Sequence, residues 1–427
     1  MKKITLLLLF VAFFQSNAQN NVEKLIDEIE PKVIEWRRDF HQTPELSNRE
    51  FKTAEKIAAH LKNLGLEVQT GIAHTGVVGV LKGGKPGPVI ALRADIDGLP
   101  VTERTPVPFA SKVKSTYNGI ETGVMHACGH DTHIAILMGT AEVLSKMKKD
   151  IKGTVKFIFQ PAEEGAPVGE EGGAELMVKE GVLKNPDVEA IFGLHIGAGT
   201  DVGTIEYKPG GTMAAAQRFV INVQGKQTHG SRPWGGVDPI VVSAQIINGL
   251  QTIISRDTEL TKEAAVITVG LIRGGVRNNI IPEDVEMIGT IRTLDYDMQK
   301  KLNAEMKRRV PAIAEAFGAK ATIEISEGLP VTYNNPDLVT KMLPSLEKAA
   351  GKENVKLVKA VTGAEDFSFF QKEIPGFYFF LGGKPLDVKR EDAASHHTPD
   401  FYIEESGMKL GVKAFVQIVM DYPTKRK

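Results

Sequence analysis

Downstream of Asn21 the apolar residues recur at helical spacing. Val22, Leu25, Ile26 and Ile29 are followed by Val33, Ile34 and Phe40, then by Ala54, Ile57, Ala58 and Leu61, the recurrence expected of amphipathic helices. Pro31 and Pro44 predict breaks between these helices, because proline lacks the backbone N–H that a helix interior needs. After Gly65 the period changes to short strand-like runs, GVVGVLKG at 76–83 and PVIALRAD at 88–95. The second is continuously apolar, as in a strand buried on both faces. A helix follows His130, with Ile134, Ile136, Leu137, Ala141 and Leu144 facing inward. TVKFIFQ at 154–160 and AIFGLHI at 190–196 read as further buried strands. Strands alternating with helices predict an α/β domain.

Near residue 214 the pattern shifts again. AQRFVINVQG alternates like a half-exposed strand, and a helix over 239–255 follows. AAVITVGLIRG, DVEMIGTIRTL, a helix over 298–317 and AKATIEIS complete a β-α-β-β-α-β order, the split βαβ arrangement of a ferredoxin-like domain. The α/β pattern resumes with a helix near 336–350, then VKLVKAVTG at 355–363 and FYFFLGG at 377–383. The chain therefore reads as one α/β domain, 19–213 and 327–427, interrupted by an inserted domain at 214–326. The insert has ~110 residues, within the ordinary range for a domain.

Lys2 and Lys3 precede an apolar run from Ile4 to Phe14, and Ser16, Asn17 and Ala18 follow. That is the layout of a secretory signal peptide cleaved near Ala18, predicting export to the periplasm or the medium. The run falls short of the ~20 residues that span a bilayer. Across the whole chain, 52 basic residues balance 53 acidic ones for a net charge of −1. This excludes nucleic-acid or anionic-membrane binding driven by bulk electrostatics. A single cysteine among 427 residues excludes a disulfide framework within the monomer.

The lone cysteine, Cys128, lies in MHACGHDTH at 125–133 with His126, His130, Asp131 and His133. A tight turn at Gly129 can present Cys128 and His130 to one centre, and thiolate with imidazole suits zinc or another late first-row metal. A buried structural cysteine among incidental histidines is the plainer alternative. In FIFQPAEEG at 157–165, Glu163 and Glu164 follow a strand end, where α/β sheets place their ligand sites. Such a pair can divide labour, one carboxylate binding metal and one activating water, although an exposed acidic turn is the commoner fate of Glu-Glu. His195 ends the apolar strand of GLHIG, and ASHHTPDF at 394–401 offers His396 and His397, between which spacing does not choose. Cys128, His130, Glu164, His195 and His397 all fall at or after strand ends of one domain. Five donors exceed the four of a structural zinc, which points to two metals sharing ligands, with Cys128 a candidate bridge.

At this point the chain resembles the metal-dependent amidohydrolases that include hippurate hydrolases, N-acyl-amino acid hydrolases and auxin–amino acid conjugate hydrolases, within the dinuclear metallopeptidase and aminoacylase superfamily. The matching stretches are RRDFHQTPELSNRE at 37–50, LRADIDGLP at 92–100, MHACGHDTH, QPAEEG and GLHIG, then GKQTHGSRP at 225–233 and VRNNIIP at 276–282. GTIRTLD at 289–295, GAEDFSFF at 363–370 and HTPDF at 397–401 complete the series, in family order. The resemblance implies a metallopeptidase-like catalytic domain with a mixed sheet, and an inserted domain acting as lid and homodimer contact. It implies two divalent metals (Zn, Mn, Co or Ni) held by Cys128, His130, Glu164, His195 and His397, with Glu163 as general base and Asp97 behind the ligands. At Asp95 many superfamily relatives carry a histidine ligand; this chain has Cys128 instead. By the same resemblance His229 stabilises the developing oxyanion, and Asn279 and Arg292 hold the substrate carboxylate, since arginine binds carboxylates through paired hydrogen bonds.

The activity this implies is hydrolysis of the amide bond of an N-acyl-amino acid, a small-molecule substrate, with neither nucleic acid nor membrane as partner. A dipeptidase or carboxypeptidase of the same superfamily is the nearest alternative. A non-catalytic periplasmic binding protein is a third, which the base Glu163 argues against, since binding alone needs none.

Overall fold

The computed structural model describes residues 2–422, with side chains from Val22 onward; the expected signal peptide lies outside the described side chains. The chain divides into two compact units. One is built from the chain up to Pro209, Asn334–Val358 and the chain from Phe369 onward; the other is Gly210–Tyr333 with Lys359–Ser368. Among the described residues no helix is long and apolar enough to cross a membrane.

The first unit is a mixed α/β structure around an eight-stranded sheet. In spatial order its strands are Glu67–Ile72, Gly76–Lys82, Lys152–Gln160, Lys85–Asp95, Ala190–Asp201, Gly376–Lys384, Ile205–Tyr207 and Val355–Leu357. The four central strands, from Lys152–Gln160 to Gly376–Lys384, run parallel. Gly76–Lys82 joins them antiparallel on one side, and Ile205–Tyr207 does so on the other. Their near-continuous burial fits strands covered on both faces. Register sets the active level: Asp95 pairs with Gln160, Arg93 with Gly193, and His195 with Phe380. The parallel strands therefore bring Asp95, Gln160 and His195 to about the same height in one row.

Helix His130–Lys146 packs against helices Lys2–Gln42 and Met408–Asp421. Every residue from His130 to Leu144 is buried, so this helix is the centre of its layer rather than a surface amphipath. Gly139 permits the close approach, since a Cβ there would lie 2.6 Å from Val33 Cγ2. The expected break at Pro31 does not occur: the helix runs from Lys2 through Pro31 to Gln42. Ile26, Ile29, Val33 and Phe40 form one buried stripe across it, and that continuous burial outweighs one lost backbone bond. Pro44 does follow the helix end.

The second unit contains a four-stranded antiparallel sheet in the order Ala265–Arg273, Asp284–Thr293, Ala215–Gln224 and Lys320–Ile325. Helices Pro239–Thr252 and Tyr296–Ala316 complete the βαββαβ order. Each helix starts at an aspartate whose side chain accepts from the first turn: Asp238 from Ile240 N at 2.9 Å, Asp295 from Met298 N at 2.9 Å. Phe219, Ile221, Ile246, Leu250, Met287 and Met306 are among its buried core. The segment Lys359–Ser368 joins this unit through Val361 N to Thr212 O at 3.1 Å and Ala214 N to Gly363 O at 2.8 Å. For that reason the strand expected over 355–363 is only Val355–Leu357.

Candidate metal centre

Asp97 organises the polar end of the sheet. It is buried, and its carboxylate accepts the Ser47 hydroxyl at 2.8 Å and the amides of Glu163 and Glu164 at 3.1 Å each. His130 Nδ1 lies 3.2 Å from the same carboxylate and 2.9 Å from the Asp97 carbonyl. One aspartate thus fixes two glutamates and the tautomer of one imidazole, the usual task of a group behind a metal ligand. With Nδ1 committed, His130 Nε2 turns toward Glu163 at 3.8 Å and Glu164 at 3.9 Å. Burial disfavours the Asp97 charge, but the His130 hydrogen bond and charge, the Glu164 amide and Ser47 hold its pKa below the ordinary aspartate value.

Cys128 precedes helix His130–Lys146. Gly129 between them has φ +96°, and a Cβ there would meet Ile196 Cγ2 at 2.3 Å, so only glycine makes this turn. Cys128 Sγ lies 3.3 Å from both His195 Nε2 and His397 Nε2. His195 Nδ1 donates to its neighbour's carbonyl, Ile196 O, at 2.7 Å, leaving Nε2 for the centre. His397 Nε2 is 2.9 Å from Glu164 Oε1.

His396 and His397 both reach Cys128, with His396 Nδ1 at 3.7 Å and His397 Nε2 at 3.3 Å from Sγ, and they differ in their other hydrogen bonds. His396 Nδ1 donates to Cys128 O at 3.2 Å and Nε2 accepts from Ala198 N at 3.1 Å, so both ring nitrogens serve the backbone. His397 is held with φ +62° while its amide donates to Ala127 O at 2.8 Å. Left-handed backbone at a non-glycine residue is the kind of strain that concentrates at functional sites. His133 is likewise spent: Nδ1 lies 2.5 Å from Asp95 Oδ1 and Nε2 accepts from Ile196 N at 2.8 Å. Asp95 in turn pairs with buried Arg93 at 2.5 Å.

The charges around the centre call for a cation. Burial, and then Glu164, Glu163 and Asp95, push the Cys128 thiol well above its usual pKa. Burial and the neighbouring His133 and His396 keep His195 well below the usual imidazole value, hence neutral with a lone pair to share. Burial also opposes charge on His130, but Asp95, Asp97 and Glu164 overcome it and raise its pKa to about 10. His130 Nε2 is buried without a hydrogen-bond partner. A coordinated divalent ion answers all four conditions, and the S, N and O donors suit a late first-row metal. Donor atoms of Cys128, Glu164 and His397 lie within 4.8 Å of one another, as do those of His130, Glu163 and Glu164. Glu164 belongs to both groups, and the residues therefore fit two ions sharing ligands.

All five expected ligands, with Glu163 and Asp97, gather in the first unit. His229, Asn279 and Arg292 belong to the second. Exposed His229 accepts the Ser231 amide at 3.1 Å and lies 2.8 Å from its hydroxyl. Thr228–His229 pairs with Ile280–Ile281, and Gly230 N donates to Asn279 O at 2.8 Å, which puts His229 and Asn279 side by side. Arg292 is half-buried in the sheet opposite Ala216 and Val266.

Sequence reasoning gave no role to Ser47, Glu50, His133 or the Arg37–Asp131 pair. Glu50 is buried, and burial together with nearby Asp97 raises its pKa to about 8. Asp131, next to His130, lies 2.7 Å from Arg37 Nε and 2.9 Å from His41 Nδ1. Burial opposes its charge, but Arg37 and His41 drive its pKa down. The signal available was the density of polar residues in RRDFHQTPELSNRE, a segment otherwise read as helix and turn.

Strand-end donors of this composition, set in a mixed α/β sheet beside a glutamate pair, define a metal-dependent hydrolase. Residues 91–421 match peptidase family M20/M25/M40, and the chain belongs to that family. It is a metal-dependent amidohydrolase. Thermostable carboxypeptidase 2 of Saccharolobus solfataricus is 40% identical over 409 residues, covering 95% of this chain and 99% of its own. N-acetylcysteine deacetylase of Bacillus subtilis is 37% identical over 392 residues, covering 91% and 96%. The crystal structure of a Bacillus subtilis protein described as a dinuclear metal binding peptidase from M20 family superposes with a TM-score of 0.77. It is 35% identical and covers 94% of this chain and 100% of its own.

Proposed function

We propose that the protein hydrolyses the amide bond of N-acyl-amino acids, releasing a carboxylic acid and a free amino acid. The observation that carries the reading is the setting of two adjacent glutamates: both stand near His130 Nε2, at 3.8 and 3.9 Å, and Glu164 Oε1 also lies 2.9 Å from His397 Nε2. Similarity to an N-acetylcysteine deacetylase over most of both chains supports the same substrate class.

Cys128, His130, Glu164, His195 and His397 are the residues that would hold two divalent metals. When bound, such metals polarise a scissile carbonyl and lower the pKa of water. Glu163 accepts the proton of the attacking water and returns it to the nitrogen of the leaving amine, a role worth ~10²–10⁴ in rate. His229 donates to the oxyanion, while Asn279 and Arg292 bind the substrate carboxylate. The four-stranded unit serves as lid and homodimer contact, and the protein acts after export.

Cleavage of peptides is the second reading, favoured by the 40% identity to a carboxypeptidase. The test is a panel of benzoyl-glycine, N-acetyl-amino acids and Gly-Gly, assayed on metal-free protein reconstituted with Zn, Mn, Co or Ni. Turnover of the N-acyl substrates and not Gly-Gly supports the first reading; the reverse supports the second.

A further inference from the structure

Helix Phe51–Asn63 starts at Glu50, a position whose side chain ordinarily accepts from its own helix. Here Glu45 performs that task, accepting Thr53 N at 2.8 Å and Lys52 N at 3.3 Å, and Glu50 makes no such bond. The Glu50 side chain is fully buried. Its Oε1 accepts the Ala162 amide at 2.9 Å, and its Oε2 accepts the Thr75 hydroxyl at 2.6 Å. Ala162 has φ +51°, a left-handed conformation that is strained for a residue with a Cβ. The next two amides, of Glu163 and Glu164, end on Asp97. Three successive N–H groups are thus held by two buried carboxyl groups from separate segments. Burying a carboxyl group is costly, and the helix cap does not require this one.

We propose that Glu50 is a positioning residue: its bond to the Ala162 amide holds the left-handed turn that aims Glu163 at the reacting water. The proposal rests on the reading of Glu163 as base. Removal of the acceptor leaves a buried N–H unpaired, and the strain at Ala162 is then relieved by turning the chain. Glu163 directly follows Ala162 in the chain, so the displacement falls on it first.

The test compares Glu50→Gln and Glu50→Ala in the full metal-loaded chain. It measures metal content, kcat and KM on an N-acetyl-amino acid, and hydrogen exchange of the peptide covering 157–168. Gln keeps an acceptor oxygen, so Glu50→Gln should retain amide protection, metal and turnover. Glu50→Ala should keep its metals, lose protection at 162–164 and lose kcat ~10²-fold with little change in KM. Full turnover and protection in Glu50→Ala overturns the proposal, as does Glu50→Gln failing equally. Loss of metal with loss of protection throughout the chain also overturns it, assigning Glu50 to the fold. If the unaltered enzyme cleaves no N-acyl-amino acid, the functional reading fails instead, while exchange at 162–164 still decides the role of Glu50.

Discussion

In the eight-stranded unit Asp95, Asp97, His130, Asp131 and His133 are all buried, and each is oriented by named partners. In the four-stranded unit His229 and Asn279 are exposed on a short paired loop, apart from a core that includes Phe219, Ile246 and Met306. The first arrangement costs desolvation for every charge and repays it with fixed geometry, the condition for stabilising charge without reorganisation. The second leaves His229 and Asn279 solvated, at little cost to folding. On the proposed function, ligand placement falls to the first unit and substrate contact to the second. Substitutions should act accordingly, reaching metal content and stability only in the first unit and changing kinetics alone in the second.

The largest expected effect separates the two glutamates. Glu163→Gln should retain both metals and lose ~10²–10⁴ in kcat, whereas Glu164→Gln and Cys128→Ser should lose metal by elemental analysis. Opposite metal contents in the two glutamate variants would reverse their assigned roles. Next is Arg37→Ala, which strips a buried aspartate of its partner and should cost ~3–5 kcal/mol in denaturant unfolding. Asp131 has a folded pKa below its unfolded value. Its contribution to stability is therefore present above about pH 3.9 and is lost as pH falls through the folded pKa. Without Arg37 that acid dependence should flatten, and an unchanged slope would show that Asp131 draws nothing from the pair.

For the four-stranded unit, His229→Ala should lower kcat by ~10²–10³, the worth of one oxyanion donor, with metal content and melting temperature intact. An unaltered kcat removes that role. The smallest effect is expected for Arg292→Ala, a rise in KM of roughly tenfold to a hundredfold if it binds a carboxylate. A fall in kcat at constant KM would instead place Arg292 in the chemical step.

Much of this molecule was legible along the chain because the signals are local. The βαββαβ order of the insert follows from alternation and helical period, each set by the geometry of its own backbone. Cys128, Gly129 and His130 share one turn, and Glu163 with Glu164 follows a buried strand, so their clustering needed only strand-end logic. Pro31 misled because the penalty of a missing N–H is local, whereas the burial of Ile26, Ile29, Val33 and Phe40 that outweighs it comes from packing against other helices.

What only the tertiary structure decided is which polar atom meets which. Neighbouring His396 and His397 look alike in sequence; they differ because Ala198 N and Cys128 O, distant along the chain, claim both nitrogens of the first. Glu50 stands at the start of helix Phe51–Asn63, yet its side chain holds Ala162, 112 positions away. A hydrogen bond has no period and leaves no pattern along the chain. Its partner is set by strand register and helix packing, which exist only once the chain has folded.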